Sequence, residues 1–154
     1  MARDTAANLA GGCQCGAVRY RITAEPTGVN VCHCRMCQKA GGGPFMVFGG
    51  VQLDELVWTR GEPKVFVSSS IAERGFCSNC GTPLTYRMFN RDRISVALGS
   101  LDAPSIVPPT IQYGVESRLA WLGYALAQPE QKTSDWFKFD ERALGNRQHP
   151  DHED

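Results

Sequence analysis

The chain has 154 residues, with 16 basic and 16 acidic side chains and a formal net charge of zero. This length suffices for one domain, and a balanced charge gives no overall field to attract nucleic acid or an anionic membrane, so neither partner is expected. We also expect a cytoplasmic protein, because no apolar run reaches the roughly 18 residues of a membrane helix and the first residues lack the order of a secretory signal.

The N-terminal part begins without a regular pattern, and we predict a flexible arm at residues 1–10. The run GGCQCG at 11–16 then sets two cysteines among glycines, which suit the tight turns that bring backbone amides near metal-bound sulfur. Residues 17–23 alternate apolar side chains with arginines and predict a half-buried strand. A turn is predicted at residues 25–28.

The run VCHCRMCQKAGGGPF at 31–45 places three cysteines within six residues: Cys32, Cys34 and Cys37. Three thiols so close together cannot all pair as disulfides, but they can converge on one zinc ion if the chain turns between them. One helical turn is predicted at residues 38–43, where the glycines and Pro44 end it. The set is one ligand short of a closed structural zinc site.

The remaining pattern predicts a mainly β domain with little helix. Short apolar or alternating runs separated by Gly and Pro turns are typical of strands. Such runs occur at 45–48, 56–59, 64–68, 84–88, 94–98 and 111–115. We predict a single domain at 11–141 and a polar C-terminal tail at 142–154.

The second cysteine pair forms a C-x-x-C-G knuckle of the kind found in zinc ribbons, at Cys77 and Cys80. Joined with Cys13 and Cys15, it makes a four-cysteine site, and the intervening loop of about 60 residues is no obstacle because closure entropy grows only logarithmically. A site with four thiolates is saturated, so a structural role is expected. Seven cysteines in such clusters favour metal binding in a reducing compartment over a disulfide framework.

The three-cysteine site has different chemistry. Three protein ligands leave a fourth position for substrate, which is typical of catalytic zinc. The alternative is that all seven cysteines are structural and that His33 closes the set, although in an extended segment its side chain points away from its neighbours. His149 and His152 lie in the polar tail, where solvated surface is expected.

Other residues give weaker signals. The prominent aromatic side chains are interpreted as core or rim residues rather than substrate platforms: Trp58, Trp121, Trp136, Tyr86, Tyr113 and Phe89. The segment 116–118 could hold a charged substrate or form a surface ion pair. A thiol redox protein using Cys77 and Cys80 is a further alternative, but the strand-to-helix context of a thioredoxin-like motif is missing.

Several segments together resemble the glutathione-dependent formaldehyde-activating family, which is also associated with the centromere protein V name. They are GGCQCGAVRY, VCHCRMCQKAGGGPF, RGFCSNCGTPLTYR, VALGSLDAP and VESRLAWL, and the resemblance runs from Gly11 to Leu122. It implies a β-tent fold of short antiparallel sheets held by two zinc ions. The matching positions make Cys13, Cys15, Cys77 and Cys80 structural ligands, and Cys32, Cys34 and Cys37 catalytic ones. Gln112-Tyr113-Gly114 stands where members often have a histidine and an aromatic residue.

The resemblance also implies a reaction: glutathione adds to formaldehyde to give S-hydroxymethylglutathione, and members are classed as carbon-sulfur lyases. The function expected is therefore a zinc-dependent lyase or thiol-adduct-forming enzyme, with glutathione as a co-substrate and a small thiol or carbonyl compound as substrate. The competing interpretation is a non-enzymatic zinc module that binds a protein partner. A homodimer is left open.

Overall fold

The structure, a computed structural model, describes residues 9–136 and 145–152 and is mainly β, as predicted. The strands in these ranges are β1 (Leu9–Gly12), β2 (Arg19–Ile22), β3 (Thr27–Cys32), β4 (Met46–Gln52), β5 (Leu56–Arg60), β6 (Lys64–Ser69), β7 (Ala72–Phe76), β8 (Pro83–Met88), β9 (Arg93–Ala97) and β10 (Ile111–Tyr113). The α-helices are α1 (Arg35–Gly41), α2 (Leu122–Leu126) and α3 (Thr133–Trp136). None of these helices could cross a membrane, and α1, with seven residues, is the longest described.

The strands form two sheets. The smaller has the order β1-β2-β5, and the larger has the order β10-β3-β4-β9-β8-β7-β6. Neighbouring strands are antiparallel, as expected, with one exception: β10 runs parallel to β3, pairing Tyr113 with Cys32. This pairing brings the segment after residue 110 beside the end of β3, where the three-cysteine run begins.

The large sheet separates two clusters of buried side chains. Along β4, Val47 and Val51 pack with the main core, whereas Met46 and Phe48 belong to a smaller cluster that includes Cys37. Successive side chains of a strand point to opposite faces, so this alternation follows directly from the sequence. The main core also contains Cys13 and Cys77. The two groups of cysteines therefore lie in different packing environments.

Several boundaries differ from those predicted, including the end of β4, which runs to Gln52 instead of residue 48. Leu9 and Ala10 belong to β1, and residues 1–8 of the predicted arm lie outside the described residues. The predicted turn at 25–28 was wrong at its end, because β3 starts at Thr27 with an irregular register around Gly28, whose φ is 59°. Helix α1 starts at Arg35 rather than residue 38, since the sulfur of Cys34 caps its first turn. Cysteine is not a usual capping residue, so the sequence carried no standard start signal.

A buried ion pair joins the small sheet to the loop that follows β9. Arg19 on β2 donates from both terminal nitrogens to the carboxylate of Asp102, at 2.8 and 2.6 Å. The apolar side chains that alternate with the arginines here, Val18 and Tyr20, are buried as predicted. The Tyr20 hydroxyl lies 2.7 Å from Ser100 Oγ. Arg19 itself, expected on the solvent side, is only 6% exposed because Asp102 receives it.

The described part of the C-terminal tail, residues 145–152, lies against the loop that carries the first two cysteines. The His149 amide donates to the Gln14 carbonyl oxygen at 2.6 Å, and Arg19 Nη2 donates to the His152 carbonyl oxygen at 2.9 Å. The predicted tail residues 142–144 and 153–154 lie outside the described residues. These hydrogen bonds hold residues 149–152 beside the loop that carries Cys13 and Cys15.

We predict that Asp102→Asn lowers the free energy of unfolding by about 3 kcal/mol, because it leaves a buried arginine without its counter-ion. Asp92→Asn is the matched control at an exposed position and should change it by less than about 0.5 kcal/mol. Urea denaturation followed by far-UV circular dichroism measures both. Equal midpoints for the two variants would show that the Arg19–Asp102 pair does not stabilise the fold.

Candidate metal centres

The structure brings the four predicted structural cysteines together. The Sγ atoms of Cys13, Cys15, Cys77 and Cys80 all lie within 4.8 Å of one another, and no disulfide joins them. The Cys13–Cys15 and Cys15–Cys77 sulfur separations are 3.5 and 3.9 Å. A tetrahedral zinc ion with Zn–S bonds of about 2.3 Å would place its ligand sulfurs about 3.8 Å apart. The donor set and its spacing therefore fit such an ion.

Local turns aim hydrogen-bond donors at these sulfurs. The Val18 amide donates to Cys13 Sγ at 3.2 Å, and the Asn79 side-chain amide donates to Cys15 Sγ at 3.1 Å. Thr82 Oγ1 lies 3.2 Å from Cys80 Sγ and also accepts from the Gln14 amide, so it ties the two halves of the cluster together. Donors of this kind stabilise thiolate over thiol.

The pKa values within this cluster are spread apart. Burial raises the pKa of Cys13 to about 12, whereas the Asn79 amide lowers that of Cys15. Burial also acts to raise the pKa of Cys80, but hydrogen bonds from Thr82 outweigh it and bring the value to about 6. Four thiols so close cannot all ionise without a cation, since each thiolate repels the next. Full ionisation therefore requires a bound metal ion.

The structure also brings the three cysteines of the run at 31–45 together. The Sγ atoms of Cys32, Cys34 and Cys37 lie within 4.8 Å of one another. The end of β3 supplies Cys32, and the first turn of α1 supplies Cys37, whose amide donates to Cys34 Sγ at 3.4 Å. In the described part of the chain, no other histidine, cysteine or carboxylate completes this group. The cluster can hold a metal ion and leaves one coordination position free.

The pKa values of these three thiols are also shifted in opposite directions. Burial raises the pKa of Cys37 to about 12, and it raises that of Cys32 as well. For Cys34, burial is opposed by the amide of Cys37 and by the neighbouring thiols, and the net pKa is lowered. A metal ion would again be needed to ionise the whole set.

His33 is directed away from the cluster, as its position between two ligating residues suggests. Its ring is buried, Nε2 lies 2.9 Å from Gln112 Oε1, and the ring packs edge-on against Phe45. Nδ1 has no hydrogen-bond partner among the described residues. In this geometry His33 supports the turn between Cys32 and Cys34 rather than closing the set.

Arg74, which the sequence did not single out, and Tyr86, a half-buried aromatic residue, border the three-cysteine cluster. Arg74 on β7 is 8% exposed, and its Nη2 donates to Cys37 Sγ at 3.3 Å. The guanidinium lies over the ring of Tyr86, 5.0 Å from the centroid. Burial raises the pKa of Tyr86, partly offset by Arg74, so the phenol stays protonated at neutral pH. A cation and a neutral hydroxyl thus stand beside the thiols.

Gln38 and Gly114 hold the segment after β10 against the cluster. Gln38 Nε2 donates to the His33 carbonyl oxygen at 2.6 Å and to the Ser117 carbonyl oxygen at 2.9 Å. Gly114 has φ 65°, and a Cβ there would lie 2.7 Å from the Cys34 amide nitrogen. No local pattern could have revealed these contacts, because they join residues about 80 positions apart.

The remaining candidates lie outside both clusters. His149 and His152 contact the Gln14 loop and each other but belong to neither group of ligand atoms. Trp58 packs on Tyr20 in the core. The other predicted rim aromatics are exposed: Phe89, Tyr113, Trp121 and Trp136. The segment Val115–Ser117 forms a 3-10 helix, and neither Glu116 nor Arg118 makes an ion pair within the described ranges.

We predict that Gly114→Ala destabilises the protein by about 1–3 kcal/mol, because the new methyl group would be strained at a positive φ and would press on the Cys34 backbone. Gly123→Ala is the matched control: no atom lies within 4 Å of its Cβ position, and alanine favours helix α2. Thermal unfolding of both variants tests the difference. A Gly114→Ala protein as stable as the control would contradict the close packing described.

Comparison with known proteins agrees with this architecture. A Schizosaccharomyces pombe protein named as an uncharacterized lyase is 36% identical over 80 residues, covering 52% of this chain and 58% of the relative. A Halomonas elongata protein, provisionally named a glutathione-dependent formaldehyde-activating enzyme, is 37% identical over 84 residues, covering 49% of this chain and 54% of the relative. The matches thus span little more than half the length of either relative.

A solved structure and a family profile extend the comparison. A crystal structure of a Rhodobacter sphaeroides protein matches with a TM-score of 0.54 at 22% identity, covering 67% of this chain and 98% of that one, which shows a shared fold. The profile of the glutathione-dependent formaldehyde-activating enzyme family matches residues 8–117, which include all seven cysteines. The chain therefore belongs to the glutathione-dependent formaldehyde-activating enzyme family.

Proposed function

We propose that the protein is a zinc-dependent carbon-sulfur lyase or thiol-adduct-forming enzyme that acts on the glutathione-formaldehyde adduct or a related thiol-carbonyl adduct. Family membership and the names of the two relatives support a glutathione-related lyase. The observation that carries the proposal is the incomplete cluster: three thiols converge with no fourth ligand in the described residues, while the other four form a closed set.

Zinc suits both clusters, because all-thiolate sites favour a soft or borderline cation and reducing conditions such as those of the cytoplasm keep the thiols available. In this proposal Cys13, Cys15, Cys77 and Cys80 hold a structural ion within the domain at 11–141, which we assign to the β-tent type. Cys32, Cys34 and Cys37 hold the catalytic one. A zinc ion there would act as a Lewis acid that lowers the pKa of a bound thiol or polarises a carbonyl oxygen.

The proposed reaction forms or breaks one carbon-sulfur bond without any redox change. In the forming direction the thiol sulfur attacks the carbonyl carbon, the carbonyl π electrons move to oxygen, and the thiol proton ends on that oxygen as a hydroxyl group. In the reverse direction the hydroxyl loses its proton, the carbonyl reforms and the thiolate leaves. No external oxidant or strong base is required.

The chain's own residues support this chemistry by position and charge. Arg74, which contacts Cys37 and Tyr86, places a permanent positive charge beside the sulfurs that carry negative charge as thiolates. The protonated Tyr86 hydroxyl is a hydrogen-bond donor at the edge of the cluster and suits an oxygen that gains charge. Gln38 and His33 fix the turn that presents the thiols, since both bond to backbone or side chains of the 112–117 segment.

The alternative function is a non-enzymatic zinc module that binds a protein partner. It is favoured by exposed apolar side chains on the two edge strands of the large sheet: Val65, Phe66 and Val67 on β6, and Ile111 and Tyr113 on β10. The same surfaces could serve a homodimer. Absence of turnover by a protein that carries both zinc ions would favour this alternative.

We predict that Cys34→Ala lowers the zinc content from two ions per chain to one and abolishes turnover of the glutathione-formaldehyde adduct, with only the modest loss of thermal stability expected from removing the cap of α1. Cys80→Ala is the matched variant at another half-buried cysteine. It should also lose one zinc but should lower the melting temperature strongly, because the four-cysteine site lies in the main core. Metal analysis, calorimetry and an adduct assay measure these effects.

Two results would contradict this assignment. One is a Cys34→Ala protein that retains both zinc ions and full turnover. The other is a Cys80→Ala protein that keeps its stability, loses no zinc and loses activity, which would transfer the reactive role to Cys77 and Cys80 and favour the redox interpretation.

A further inference from the structure

The face of the large sheet that lies opposite the three-cysteine cluster carries a cavity of about 220 Å³. It lies between β5 of the small sheet and strands β6 to β9 of the large one. Glu73 and Arg87 line it, whereas Arg74 and Tyr86, their neighbours on the same strands, point to the other face, beside Cys37. The sheet itself therefore separates this cavity from the thiols.

The walls of the cavity are mainly apolar. The half-buried Trp58 packs edge-on against Tyr20, with ring centroids 5.8 Å apart, and this contact holds its indole in place. The other apolar side chains of the walls are Leu53, Leu56, Pro63, Val65 and Ile94. The volume is below the roughly 300–1,000 Å³ of pockets that hold drug-sized ligands, so a smaller molecule with an apolar group suits it.

The polar end of the cavity is an ion pair with unused hydrogen-bonding capacity. Glu73 and Arg87 are cross-strand neighbours on β7 and β8, and Arg87 Nη1 lies 3.6 Å from Glu73 Oε1. This distance is too long for a normal hydrogen bond. Within the described ranges neither side chain has a hydrogen-bond partner, and Arg87 Nε is buried without an acceptor. Both side chains are partly exposed, at 24% and 39%, so a ligand can reach them.

Two opposite charges with free capacity favour a ligand that carries both charges. A carboxylate alone would bind the Arg87 guanidinium but would be repelled by the Glu73 carboxylate, and an amine alone would meet the reverse conflict. A zwitterion satisfies both groups with charge-assisted hydrogen bonds. Because the pair is separated by only 3.6 Å, the two charges of the ligand must also be close together, as they are on a single α-carbon.

We propose that this cavity binds a free α-amino acid with an apolar side chain. The Nη nitrogens of Arg87 donate to its carboxylate, the Glu73 carboxylate accepts from its ammonium group, and Trp58 contacts its side chain. This site does not depend on the thiol chemistry proposed above, because it lies on the other face of the sheet and contains no cysteine. Binding can therefore be measured without turnover.

The test is a titration of the ¹⁵N-labelled protein with L-leucine, followed by heteronuclear NMR. The indole signal of Trp58 should shift saturably, with a Kd of about 1 mM, whereas those of Trp121 and Trp136, outside the cavity, should not move. Three analogues should each bind at least about tenfold more weakly. They are 4-methylpentanoate, which lacks the ammonium group, 3-methylbutylamine, which lacks the carboxylate, and glycine, which lacks the apolar side chain.

Variants of the charged pair complete the design. Arg87→Met and Glu73→Gln should each weaken L-leucine binding at least about tenfold. Arg91→Met is the matched control: Arg91 is exposed in the turn between β8 and β9, outside the cavity, and its replacement should change the affinity less than about twofold.

Three results would overturn the proposal. They are no saturable shift with L-leucine at millimolar concentrations, an acid or amine analogue that binds as well as L-leucine, and an Arg87→Met protein that binds like Arg91→Met. If a variant of the pair does not fold, the ligand series on the unmodified protein still decides, because it alone tests the need for both charges.

Discussion

Repulsion among closely spaced thiolates is the constraint on which the rest of the structure depends. Seven cysteine sulfurs are gathered into two groups whose members lie within 4.8 Å of one another. Without a cation, burial and mutual repulsion keep part of each set protonated, as the raised pKa values of Cys13 and Cys37 show. A metal ion would remove the repulsion and turn each group into a cross-link. In the four-cysteine cluster that cross-link would join the turn after β1 to the C-x-x-C turn between β7 and β8.

The fold keeps the two clusters chemically distinct by placing them in different surroundings. The four-cysteine cluster shares the main core, and the His149 amide bonds to Gln14 between two of its cysteines. The three-cysteine cluster lies with Met46, Phe48 and Ala97 and is bordered by Arg74 and Tyr86. The alternation of side chains along β4 produces this separation, because Val47 faces the main core whereas Met46 and Phe48 face the three-cysteine cluster.

Much of this organisation could be predicted from the sequence, because the signals are local. Cysteine spacing predicted both groups, and alternation predicted the burial of Val18, Tyr20 and Ile22. What could not be predicted depends on contacts between distant segments. The parallel pairing of β10 with β3, the support of His33 by Gln112, and the approach of Arg74 to Cys37 all require the folded sheet. The early start of α1 was missed for a different reason, since a cysteine sulfur replaces the usual capping oxygen.

The central claim is that four of the sulfurs close one metal site and three leave the other open. Zinc K-edge X-ray absorption of the zinc-loaded protein tests it most directly. Seven sulfurs shared by two zinc ions should give an average of about 3.5 sulfur neighbours per ion, rising toward about 4 when glutathione is added. A single zinc ion with four sulfur neighbours, or an imidazole signal that glutathione does not change, would contradict the claim.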